Sequence, residues 1–198
     1  MRVIVKLSIH FFVLLLIISS CTKEHPAPAY VSDYFPLNIG DTWNYQSQKL
    51  EIKSLKTINS KAYYEVLISQ YNAGVLFGTN YAYYRKTTYG KVYKLNNDLN
   101  SESLLYDFTV PVNHSWTYKE GDMEWQVTNS TESKVVNINH SIIANCRQFD
   151  FDIVKAVDDE HAVILAPGIG KIISFSYAWG MNDTLKSAVI NGVDYSFK

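Results

Sequence analysis

Asp150 and Asp152 stand two residues apart in Asn145-Cys-Arg-Gln-Phe-Asp-Phe-Asp-Ile153. In an extended chain both carboxylates project from one face and could share general acid and base work across a groove. The same alternation, Phe149 and Phe151 against the two acids, is what the wet side of a half-buried strand requires, and that reading comes first. Cys146 has no nucleophile elbow around it and reads as a small buried hydrophobe. The histidines are scattered: His25 near the start, His114 before Trp116, His140 beside a turn, and His161 just after Asp158-Asp159-Glu160. Metal centres need donors clustered at fixed offsets, whereas an acidic run of this kind describes a solvated hairpin tip. Ala166-Pro-Gly-Ile-Gly-Lys171 invites a phosphate-loop reading. It lacks the Gly-x-x-x-x-Gly-Lys-Ser/Thr spacing, and a strand rather than a helix follows it, so it reads as a tight turn or bulge. No residue qualifies as catalytic, as a metal ligand or as a cofactor contact.

The first residues carry a different chemistry. Arg2 and Lys6 lead into an apolar run from Phe11 to Ile18 that ends in Ile18-Ser19-Ser20-Cys21. A charged start, a short apolar centre and small residues before a cut describe a secretory signal. The run falls well short of the ~20 apolar residues that span a bilayer. Ile-Ser-Ser-Cys also resembles the bacterial lipoprotein box, in which the peptide is removed before a Cys that then carries lipid. The expectation is a signal peptide over 1–20, lipidated Cys21 as the first mature residue, a polar, Pro-broken tether over 21–32, and one domain over 33–198. Thr22 stands where an Asp would retain the protein at the inner membrane, which points to an outer membrane lipoprotein, facing the periplasm or the surface.

Removing residues 1–20 takes away two basic residues and no acid, leaving 16 basic against 19 acidic and a net charge of -3. No basic stripe remains to compete for phosphates, so nucleic acid is not an expected partner. A mature chain of 178 residues buries about 70% of its unfolded surface without metals or disulfides. With Cys21 committed to lipid, Cys146 has no partner for an intrachain disulfide.

Fifteen Tyr, nine Phe and four Trp, with many Val, Ile and Thr, favour pleated surfaces. The apolar pattern has period two: Tyr81 and Tyr83; Met123, Trp125 and Val127; Val136 and Ile138; Phe149, Phe151 and Ile153. Turn chemistry separates these runs at Asn72-Ala73-Gly74, Tyr89-Gly90-Lys91, Asn96-Asn97-Asp98, Glu120-Gly121-Asp122, Asp158-Asp159-Glu160, Pro167-Gly168 and Asn191-Gly192. The fold class this predicts is all-β, an antiparallel β-meander. Phe35-Pro-Leu-Asn-Ile-Gly-Asp-Thr-Trp43-Asn-Tyr45 also aligns without gaps on Phe108-Thr-Val-Pro-Val-Asn-His-Ser-Trp116-Thr-Tyr118. Tyr89-Gly90-Lys91-Val92-Tyr93 parallels Ile169-Gly170-Lys171-Ile172-Ile173. An internal repeat, about 35–107 and 108–190, is therefore expected, its similar halves forming a sandwich or open barrel with Trp43 and Trp116 at equivalent core positions.

The Phe-Pro-Leu-x-x-Gly-x-x-Trp-x-Tyr motif, then Tyr84-Arg-Lys-Thr-Thr-Tyr-Gly-Lys-Val-Tyr93, then Glu102-Ser-Leu-Leu-Tyr-Asp-Phe108, then Gly168-Ile169-Gly170, resembles a widespread group of secreted β-rich proteins and lipoproteins of diderm bacteria. The likeness spans most of residues 34–175. That group often shows a second Gly-Asp-x-Trp where this chain has Asn113-His114-Ser115-Trp116. It has no assigned activity, so the resemblance implies fold and envelope location only.

Aromatic excess is the remaining lead. Tyr and Trp can stack on sugars or line an apolar pocket. Tyr81 and Tyr83 share one strand face while Tyr84 takes the other, and Tyr89 sits at a turn, so some of these rings must look outward. Tyr81, Tyr83, Tyr84 and Tyr89 are the candidate ligand contacts. The function expected is a lipid-anchored, non-catalytic binding or assembly module that meets the membrane through its lipid and a protein, glycan or lipid ligand through its domain. The alternative is an envelope hydrolase with a site assembled from dispersed residues, in which at least two of Asp150, Asp152, His161 and Cys146, or others, would converge within hydrogen-bond reach.

Overall fold

The computed structural model describes residues 32–157, 159–180 and 182–197. Cys21, the leader and nearly all of the tether lie outside the described residues, as does Asp158. The chain makes β1 (Thr42–Asn44), β2 (Gln48–Ile58), β3 (Lys61–Asn72), β4 (Val75–Lys86), β5 (Lys91–Leu95) and β6 (Glu102–Asp107). It continues with β7 (Ser115–Glu120), β8 (Met123–Ile138), β9 (Ser141–Ile153), β10 (His161–Ala166), β11 (Gly170–Ser176) and β12 (Asn182–Thr184), and closes with β13 (Ser187–Ile190) and β14 (Val193–Ser196). The fold is all-β, as the alternation predicts.

Strands β1 to β6 form one consecutive antiparallel meander and β7 to β12 a second; the last hairpin, β13–β14, crosses back to pair β13 with β1. The result is an eight-stranded sheet against a six-stranded one, a sandwich and not a closed barrel. Two-residue turns set the register of the long hairpins. Asn59-Ser60, Ala73-Gly74, Asn139-His140 and Asn191-Gly192 all hold positive φ at both positions, the backbone hand that matches strand twist. Asn59-Ser60 is not among the turns the composition flags, because it has neither a Gly or Pro nor a run of Asn or acidic residues.

The loops that lead into the Trp-x-Tyr strands share a backbone pattern. Gly40 N–H donates to the Ile52 carbonyl (2.9 Å), Asp41 N–H to Asn38 (3.0 Å) and Ile52 N–H to Asp41 (3.0 Å). In the second meander Asn113 N–H donates to Asn129 (2.7 Å), His114 N–H to Pro111 (3.2 Å) and Asn129 N–H to His114 (3.0 Å). A register shift follows Ile52 in one meander and Asn129 in the other. Gly40 (φ 95°) and Asn113 (φ 66°) occupy the same left-handed step.

Both sheets contribute to the core between them. One cluster gathers Leu37, Trp43, Tyr45, Ile52 and Val66 from the first sheet side with Val136, Cys146, Ile164 and Ile172 from the second. The other is aromatic, with Tyr106, Phe108, Phe149 and Phe151 at ring separations of 5.1 to 6.0 Å. Edge-to-face and offset contacts of this kind add to area burial worth ~25 cal/mol per Å². On the outer face of the first sheet, Lys61, Tyr63 and Arg85 converge on Glu102, whose carboxyl is held down at about 2 chiefly by the Arg85 guanidinium.

Candidate functional site

Where the loop before β1 passes between the sheets, aliphatic and aromatic side chains leave a space unfilled. Phe35, Pro36 and Leu37, Trp43 and Tyr45, Ile52, Val66, Tyr84 and Tyr106 wall a cavity of about 100 Å³, partly open to solvent, and Gly170 and Lys171 close it from the second sheet. Three local devices hold its shape. Trp43 Nε1–H donates to the Ile169 carbonyl at 2.6 Å, and the Tyr45 hydroxyl donates to the Lys171 carbonyl at 2.7 Å, so β1 and the residue just after it are pinned to the β10–β11 turn and the start of β11. Gly170 permits the approach: a Cβ there would stand 3.4 Å from both Pro36 Cδ and Trp43 Nε1, on backbone already at φ 93°. The residue that follows it, Lys171, is thereby set against the cavity.

The polar side-chain groups of the lining are one ammonium, one indole N–H and three phenol hydroxyls. Lys171 Nζ lies 4.6 Å from the centroid of the Tyr45 ring, a cation–π arrangement. Burial pushes its pKa below the usual lysine value, and the charge of Asp183 only partly opposes this. Asp183 is itself engaged, accepting hydrogen bonds from the Gln46 and Ser47 amides and from the Gln48 side chain. Among the described residues Lys171 makes no ion pair, although nine other pairs form. Burial raises Tyr84 to about 12 and Tyr106 well above its ordinary range. Neither hydroxyl is hydrogen-bonded to another protein group among the described residues. Tyr45 is raised in the same direction by burial, with Asp183, Tyr106 and Tyr84 adding to it.

The four tyrosines singled out by alternation are not one surface. Tyr84 points inward to the cavity, packed 5.5 Å from Phe35. Tyr83 lies on the opposite face of the sheet, its hydroxyl 3.3 Å from Glu65, and Tyr81 shares that face at 54% exposure. Tyr89 is 65% exposed in the β4–β5 turn. Lys171 was legible only as the last residue of a turn motif.

Asp150, Asp152, His161 and Cys146 are not brought together either. Asp150 accepts from Gln148 Nε2 at 2.7 Å, and Asp152 is exposed. His161 stacks on Phe151 at 4.8 Å, with burial lowering its pKa. Cys146 is enclosed in the aliphatic cluster, its thiol pushed up to about 11 by burial. No hydrogen bond joins any two of the four among the described residues. His114 stands near Trp116 at a ring separation of 6.4 Å. Among the described residues, three buried polar atoms, Trp125 Nε1, Asn129 Oδ1 and Arg147 Nε, have no partner, and none of these residues lines the cavity.

No family model matches the sequence, and no curated protein matches it. Among solved structures, a Bacteroides fragilis protein with a YmcC-like fold superposes with a TM-score of 0.50 at 14% identity, covering 79% of this chain and 99% of its own. This is a likeness of fold.

Proposed function

We propose that this chain is a lipid-anchored protein of the cell envelope whose β-sandwich serves as a non-catalytic binding module, with the inter-sheet cavity as its ligand site. The cavity carries the reading. It combines apolar walls with a small number of convergent polar groups, the composition of a small-molecule site. Location rests on the charged start, the Phe11–Ile18 run and Cys21 after two serines. The description of the Bacteroides fragilis neighbour as a candidate exported protein agrees with it. Two or three acyl chains on Cys21 would anchor stably, since each buried CH₂ contributes ~0.8 kcal/mol. The outer membrane is the destination we favour, on Thr22. The shared loop bonds and the equal strand counts of the two meanders support reading them as copies of one unit, about 35–107 and 108–190.

Metabolic labelling with an acyl probe tests the anchor. The wild-type chain should take up label and fractionate with membranes, and Cys21→Ala should lose both. A Cys21→Ala protein that still sediments with membranes would overturn the lipoprotein assignment.

A further inference from the structure

Resting on the reading of the cavity as a ligand site, we propose that its ligand is a small carboxylate with a short apolar body, whose carboxylate meets Lys171 Nζ and the phenols of Tyr84 and Tyr106. Three observations converge. An ammonium taken out of bulk water ordinarily acquires a counter-ion, because an isolated buried charge is costly. Lys171 has none among the described residues, and the carboxylate of Asp183 is already bonded to three other donors. The remaining polar groups at the wall, the Tyr84 and Tyr106 hydroxyls, are donors still available for bonding, whereas the Tyr45 hydroxyl is committed to the Lys171 carbonyl. A carboxylate matches this set, because its two oxygens offer acceptors to a cation and to phenol hydroxyls at once.

The other walls narrow the class. Phe35, Leu37, Trp43, Ile52 and Val66 offer apolar contact, so phosphate or sulfate alone would leave most of the surface without a match. The volume, about 100 Å³, is smaller than the engineered cavity of ~150 Å³ that accepts benzene. A carboxylate with a few carbons fits; a long acyl chain does not. The Tyr45 ring, 4.6 Å from Nζ, supplies a weak cation–π attraction but no formal counter-charge, so it does not replace a ligand carboxylate.

The test is a titration of the full mature lipoprotein in a non-ionic detergent with butyrate, butyramide and octanoate, followed by the aromatic and lysine side-chain resonances. Butyrate should bind saturably and at least tenfold more tightly than butyramide, which has the same shape without the charge. Octanoate should bind no more tightly than butyrate. Lys171→Met should abolish the preference for the acid over the amide while melting no lower than wild type, since it removes a half-buried charge. Tyr84→Phe, which keeps the ring, should weaken butyrate several-fold with little change in melting temperature, and stands in if Lys171→Met fails to fold. Equal binding of butyrate and butyramide would overturn the carboxylate assignment and leave the cavity as a ligand site. Affinity that climbs from butyrate to octanoate would overturn it in favour of a lipid-chain site. If none of the three perturbs Tyr84 or Lys171, both the carboxylate assignment and the cavity reading fail.

Discussion

The segments Phe35–Tyr45 and Phe108–Tyr118 run through the same three backbone hydrogen bonds and end on the same Trp-x-Tyr pattern, yet one borders a cavity and the other a filled aromatic core. Each tryptophan donates its indole N–H across to the opposite sheet, Trp43 to Ile169 at 2.6 Å and Trp116 to Leu104 at 2.8 Å. The difference lies in what surrounds the rings. Trp116 packs against Phe149 at 6.1 Å and Tyr118 against Trp125 at 6.4 Å, so large rings occupy the space. Around Trp43 the aliphatic Leu37, Ile52 and Val66 stand among the rings of Phe35, Tyr45, Tyr84 and Tyr106, and this mixed set leaves room. Asp41 adds a further contrast: it is buried, bonds the Asn38 amide and side chain, and accepts the Asn191 amide at 2.8 Å, tying the last hairpin to the first meander. Its counterpart His114 is exposed and has no such role. A common backbone frame therefore supports either a packed core or a site, and the way the side chains fit together decides which.

The largest effect that could break this comparison is removal of the indoles. Trp43→Ala deletes a ring that is 6% exposed, loses its hydrogen bond and opens the existing cavity further. It should cost ~3 to 5 kcal/mol in urea unfolding. Trp116 is only half-buried, and Trp116→Ala should cost about half as much. Equal losses would mean that the two positions are energetically equivalent despite their different surroundings.

Next in size is an alkaline limit on stability. Tyr84 is raised to about 12 by burial, and Tyr45, Tyr106 and Tyr118 are raised by the same cause. A phenol whose folded pKa lies above its unfolded value contributes stability that is fully present below pH ~10 and is lost as pH rises through the folded value. For Tyr84 alone the shift corresponds to about 2 to 3 kcal/mol. Tyrosinate absorbance at 295 nm should rise in two phases between pH 9 and 13, the later one coinciding with loss of the far-ultraviolet signal. Tyr84→Phe and Tyr118→Phe, one from each region, should each move that later phase upward. A single phase with the fold intact throughout would show that the buried phenols ionise in place.

Much of the architecture was legible because its causes are local. Alternation in Phe149, Phe151 and Ile153 marks β9, and Gly or Asn at the tips marks most turns. The return of β13 to pair with β1 was not legible, since that pairing joins residues more than 140 positions apart and depends on Asp41 reaching Asn191. The candidate site was harder to read for a related reason. Tyr84 stood out among tyrosines, but its inward direction follows from the pairing of β4 with β3 and β5. Lys171 sits in a strand start whose composition resembles any tight turn. Only the approach of Tyr45 from the other sheet sets an aromatic ring against its half-buried ammonium.

The smallest effect tests the frame itself. Gly40 holds φ 95° and a Cβ there would meet no atom within 4 Å, so Gly40→Ala carries a backbone penalty and no clash. That penalty should be ~1 to 2 kcal/mol, because an L-residue avoids this region. Asn113, at φ 66°, already pays most of the comparable strain, and Asn tolerates the left-handed region better than most residues. Asn113→Gly relieves that strain but frees the unfolded chain, and the two effects should cancel to within about 0.5 kcal/mol. Chemical denaturation of the two variants measures both. If Gly40→Ala proved as mild as Asn113→Gly, the shared left-handed step would not be what fixes the two loops. A loss at Asn113 matching that at Gly40 would instead assign the Asn113 side chain a role beyond its backbone.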